Sequence, residues 1–78
     1  MAKKTADSLD VRGLLCPIPI LRTAQRMRGM TAGEQLEVIG DDAGIVEDMP
    51  VWCEETGNLL VSLVREDEMV RCVVEKAG

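Results

Sequence analysis

"LDVRGLLCPIPIL", residues 9–21, holds a change of backbone habit within thirteen residues. Leu9 and Val11 fall on one face of an alternating segment, which predicts a short strand over Ser8–Val11. Further on, Pro17 and Pro19 flank Ile18. Proline suits the first turn of a helix, where its missing N–H would have had no helical partner. It also restricts the residue before it, here Cys16 and Ile18, to extended geometry. The stretch therefore reads as a strand, a turn and a stiff approach to a helix. Pro17 and Pro19 are both candidates for the first helical residue. In either case Cys16 lies just outside the helix, at its positive end.

Working outward, residues 17–30 carry Ile20, Leu21, Ala24 and Met27 at helical spacing, with arginines opposite. Thr31-Ala32-Gly33 is a loop. Glu34–Gly40 alternates, with Leu36 and Val38 on one side. Asp41-Asp42 suits the start of a second helix, both as a cap and as a complement to the helix dipole. Ile45, Met49, Trp52, Cys53 and Thr56 share a helical face, and Gly57 fits the stop. Pro50 falls inside this helix and predicts a kink or a break. Asn58–Val64 and Met69–Glu75 read as strands around a turn at Arg65-Glu66-Asp67-Glu68.

The order is βαβαββ, with one apolar stripe per helix. It predicts an α+β fold: a two-layer sandwich with two helices packed on one face of a four-stranded mixed sheet. Strict alternation would point Leu36, Val38, Leu59, Val61, Leu63, Val70, Cys72 and Val74 at the helices. Ile39, Leu60, Val64 and Val73 would then make an apolar patch on the open face.

Seventy-eight residues suffice for one core, so residues 8–78 are expected to form one domain behind a flexible tail, 1–7. Trp52 is the sole aromatic residue, so the core is aliphatic. The longest apolar run is too short to span a membrane, and no secretory signal is recognisable. A cytoplasmic location and reduced thiols are expected, since three cysteines do not make a disulfide framework. The net charge of −5 and the lack of stacking aromatics argue against direct nucleic-acid binding. Residues 11–33 nevertheless hold four arginines and no acid, so Cys16 lies in the basic part of an acidic chain.

A thiolate is the nucleophilic form of cysteine, and a helix N-terminus favours it. Cys16 is thus expected to have a depressed pKa, helped by Arg12 and Arg22, with the Ile18 N–H available to point at the sulfur. The plainer reading of Cys16 is a small buried residue in a protein-interaction or regulatory module. Cys53 and Cys72 fall on presumed core faces, and core thiols are the expectation for both. The spacing of the three cysteines matches no zinc pattern, so no metal site is expected. Arg12, Arg22 and Arg26 form either a solvated face or a docking surface for an acidic partner.

The stretch resembles the signature of the TusA/SirA family of small sulfur carriers, Gly-Leu-x-Cys-Pro-x-Pro before the first helix. Gly13, Leu14, Cys16, Pro17 and Pro19 match it. The likeness continues through "VIGDDAGIVEDMPVWCEETGN" and the last two strands. It implies the same βαβαββ sandwich and a persulfide carried on Cys16, with Gly13, Leu14, Pro17, Ile18 and Pro19 shaping the site. It further implies a desulfurase or rhodanese-like protein as sulfur donor, a thiol-bearing protein as acceptor, and no cofactor. Such a chain acts as a relay by thiol exchange more than as an enzyme with its own small substrate. Ala43 and Asn58 depart from the proline and histidine common in relatives, and Ile18 stands where some have an acid.

Overall fold

The structure is a computed structural model and describes residues 5–78. It contains β1 (Thr5–Asp10), α1 (Ile18–Met27), β2 (Gln35–Gly40), α2 (Gly44–Thr56), β3 (Leu59–Glu66) and β4 (Met69–Glu75). Strand β1 thus begins at Thr5 rather than Ser8 and ends before Val11. Of the tail expected over residues 1–7, residues 1–4 lie outside the described residues. The sheet order is β1-β2-β4-β3. Strands β1 and β2 are parallel and the other two pairings are antiparallel, so the sheet is mixed. Both helices pack on one face, as the βαβαββ order requires.

The core lies between the layers. Leu36, Val38, Val70, Cys72 and Val74 come from the sheet and are fully buried or nearly so. Ile20, Thr23 and Met27 meet them from α1, and Ile45, Met49 and Cys53 from α2. Thr23 replaces the expected Leu21 on the α1 stripe. Its hydroxyl donates to the Pro19 carbonyl at 2.8 Å, so a buried polar group is satisfied within its own helix. Leu21 faces outward at 55% exposure. At the other end of α1, Lys76 Nζ donates to the Met27 carbonyl at 3.0 Å, a cation at the negative helix end.

Three expectations change. Helix α2 runs through Pro50 as one element. Pro50 is exposed, so its ring lies away from the Ile45–Met49–Cys53 stripe that holds the helix to the sheet. The β3–β4 turn shortens to Asp67–Glu68, with Asp67 at φ 56°. The left-handed backbone there suits the twist of a two-residue hairpin.

The third change is the phase of β3. Leu60 pairs with Val74 and Leu63 with Cys72, both inward, while the register shifts between Leu60 and Ser62. Val61 is the extra residue of a β-bulge, and a bulge reverses the facing of everything on one side of it. Leu60 therefore packs against the core, and Leu59 and Val61 are exposed, against the reading by strict alternation. On the open face of the sheet, Gln35 bonds Glu75 at 3.1 Å and Arg71 pairs with Glu37 at 3.5 Å.

Candidate functional site

Residues 11–17 form the connection from β1 to α1. Gly13 takes φ 83°, a left-handed conformation that glycine adopts without a Cβ clash. Its N–H donates to Asp41 Oδ1 at 2.9 Å, and the Cys16 N–H donates to Asp42 Oδ2 at 2.8 Å. The two aspartates therefore hold the cysteine loop from across the domain. The expected capping of α2 holds in part: Ala43, the residue before that helix, has no side-chain cap, while the Asp42 carboxylate also meets the N–H of Gly44 at the helix start. Leu14 and Cys16 lie against the core, while Leu15 is 72% exposed and Ile18 is exposed as well.

Pro17 precedes the first helical residue and Pro19 sits buried in the first turn. The Cys16–Pro17 peptide is cis. The Ile18 N–H donates to the Leu15 carbonyl at 2.9 Å, so it is spent there and not on the sulfur. The N–H groups of Ile20 and Leu21 both turn to the Pro17 carbonyl, each at 3.1 Å. The helix end that was expected to favour a thiolate thus has two prolines without N–H groups, and its nearby donors are already engaged.

Cys16 is partly exposed, whereas Cys53 and Cys72 are buried; all three are free thiols. The thiol of Cys16 is pushed up to about 12, first by burial and then by the carboxylates of Asp42 and Asp48. The expected depression is therefore reversed. Charge counted along the chain placed Cys16 among arginines, but folding brings it against acids from the second half. Cys72 rises to about 11 through burial, with a smaller contribution from neighbouring Cys53.

Of the arginines proposed for docking, Arg12 makes a two-pronged bond to Asp10, at 2.9 and 2.7 Å, and holds that carboxyl down at about 2. Arg26 pairs with Asp7, and Arg22 is exposed on α1. None of the three contributes to the ionisation of Cys16. The site includes residues that sequence reasoning missed: Asp41, Asp42, Gly44 and Asp48. A Cβ on Gly44 would stand 3.2 Å from Cys16 Cβ and 3.3 Å from its sulfur, a tight approach that favours glycine. The adjacent acids followed closely by a glycine were the available signal. Beside the cysteine, Pro17, Ile20, Asp48, Val51, Trp52 and Glu55 line an open groove of about 270 Å³. Among the described residues, no group of three His, Cys, Asp or Glu side chains could hold a metal ion, and no helix is long and apolar enough to cross a membrane.

The family model described as Sulfurtransferase TusA matches residues 7–76. The chain belongs to the TusA family. It is 36% identical over 71 residues to the sulfur carrier protein TusA of Allochromatium vinosum, covering 91% of this chain and 93% of that one. It is also 39% identical over 75 residues to YrkF of Bacillus subtilis, covering 96% of this chain but 40% of that protein. This chain thus spans about two fifths of the length of YrkF, which is more than twice as long as the segment the two share. The crystal structure of a SirA-like protein from Desulfitobacterium hafniense has the same fold, with a TM-score of 0.77 at 18% identity. That likeness covers 92% of this chain and 99% of the other.

Proposed function

We propose that this protein is a sulfur carrier that holds sulfane sulfur as a persulfide on Cys16. The observation that carries this reading is the contrast in access among the three thiols. Cys16 alone combines a partly exposed sulfur with the family's Gly-Leu-x-Cys-Pro-x-Pro stretch. A purely structural Cys16 would be packed away, as Cys53 and Cys72 are.

A donor protein, of desulfurase or rhodanese-like kind, presents a persulfide. The Cys16 thiolate attacks its outer sulfur, the donor S–S bond breaks, and the donor cysteine leaves as a thiol after taking up a proton. Cys16–S–SH is then attacked by the thiolate of an acceptor protein. The exposed Leu15 and Ile18 give either partner apolar surface beside the sulfur. Gly13, Leu14, Pro17 and Pro19 shape the loop, and the relay runs in the cytoplasm. Mass spectrometry of the protein isolated from cells tests the reading: added sulfur on Cys16, absent from Cys16→Ser, is expected. A chain that never carries sulfur under donor excess overturns it.

A further inference from the structure

Two carboxylates approach one sulfur from different elements. Asp42, between β2 and α2, accepts the Cys16 N–H at 2.8 Å, which places its carboxylate beside that residue's own side chain. Asp48, on α2, lines the groove together with Pro17, the neighbour of Cys16. Gly44 closes the arrangement from below. A Cβ there would meet Asp42 Oδ2 at 3.0 Å and the sulfur at 3.3 Å, so acid and thiol share one glycine-floored space.

The charges around the site are otherwise accounted for. On the cysteine's own loop, Arg12 is held by Asp10. Asp41 is turned to the Gly13 N–H. Helix α1 has no acid in its first turn, and Arg26 is paired with Asp7. Arg22 and Arg28 are exposed. From α2, Glu47 is exposed, and Glu55 lines the groove farther along. Asp42 and Asp48 are the charged groups that act on the sulfur.

We propose that Asp42 and Asp48 are positioning residues that hold the unloaded Cys16 thiol neutral, and that a sulfur donor releases the nucleophile by bringing a cation to them. The proposal rests on the carrier reading and gives the donor a chemistry: a persulfide with a basic group beside it. In the exchange, the proton lost by Cys16 passes to solvent and the departing donor thiolate takes one up. One S–S bond breaks and one forms, with no net oxidation. The same acids act on release. When an acceptor thiolate attacks the outer sulfur, the Cys16 S–S bond breaks and the Cys16 sulfur takes a proton from solvent; the two carboxylates favour that protonated thiol, which opposes back-attack.

The test is alkylation of the full chain with iodoacetamide across pH, with modification of Cys16 read by mass. Asn in place of Asp42 still accepts the Cys16 N–H but has no charge. Asp42→Asn and Asp48→Asn should each raise the rate near neutral pH by about tenfold or more, since one unit of pKa is tenfold in thiolate. Unchanged rates in both, with Cys53 and Cys72 unlabelled as evidence of folding, overturn the proposal. So does a wild-type midpoint at or below that of a free thiol, whatever the variants do. For the donor's cation, a cysteine-persulfide peptide flanked by lysines should load the wild type faster than one flanked by glutamates. The gap should shrink in the double Asn variant, and a gap that persists removes this part. Failure of the wild type to take sulfur from either peptide sinks the carrier reading, while the alkylation result still decides the acids.

Discussion

Cys16 and Cys72 both have raised thiol pKa values, yet they reach them by different routes. Cys72 is fully enclosed between the sheet and the helices, and lost hydration is the main cause. Cys16 is partly open, and carboxylates add to what burial begins. The difference matters for function. Apolar enclosure cannot be lifted without unpacking the core, but a carboxylate can be neutralised by one approaching cation. Inertness is permanent in one place and conditional in the other.

The largest expected break in this comparison is the exchange of roles by substitution. Cys16→Ser should abolish sulfur loading and leave thermal stability near that of the wild type. Cys72→Ser should retain loading and lose about 1–3 kcal/mol, because its hydroxyl is buried among apolar groups. Loading by mass spectrometry and denaturant unfolding check both. Loss of loading in a folded Cys72→Ser would join the two thiols in one function.

Two glycines sharpen the contrast next. A Cβ at Gly40 would lie 2.4 Å from Ile45 Cδ1 and 3.1 Å from Val11 Cγ2, inside the packed core. Gly40→Ala should therefore cost about 1–3 kcal/mol with loading retained in the folded fraction. Gly44→Ala crowds the Cys16 sulfur and Asp42 instead. It should slow loading several-fold, by about 1 kcal/mol in activation terms, with a smaller change in melting temperature.

The thiols also set an alkaline limit. Their folded-state values, about 12 for Cys16 and about 11 for Cys72, lie above the ordinary 9.0. A raised pKa means that the folded state binds its protons more tightly. The resulting stabilisation is complete below pH 9.0 and is lost as the pH rises through about 11 and 12. Cys72→Ala should flatten unfolding free energy against pH in that window, and an unchanged slope would argue against the buried-thiol assignment. The smallest effect is remote from both thiols. Asp67→Val places a β-branched residue at a left-handed turn position and should cost about 1 kcal/mol without altering loading.

The element order, the Gly57 stop and the exposed-versus-buried sorting of the cysteines were legible in the sequence, because each depends on local periodicity or a single residue's backbone habit. The β3 phase was not. Val61 is a good strand former, and nothing local marks it as the bulged residue whose insertion turns Leu60 inward. The ionisation of Cys16 is hidden from the sequence for a related reason. Asp41 and Asp42 suit a helix cap by sequence, yet their carboxylates bond residues 28 and 26 positions earlier. Charge along the chain and charge in space differ most where distant segments meet, and the site is built at such a meeting.

The bulge in β3 has a consequence for life in a crowded solution. Strand β3 lies at the edge of the sheet and exposes Leu59, Val61 and Val64. A long, flat, apolar edge is a template on which further strands can polymerise. The extra residue at Val61 breaks the regular spacing of donors and acceptors along that margin and twists it. The irregularity that spoils the alternation therefore also guards the protein against growing into fibres.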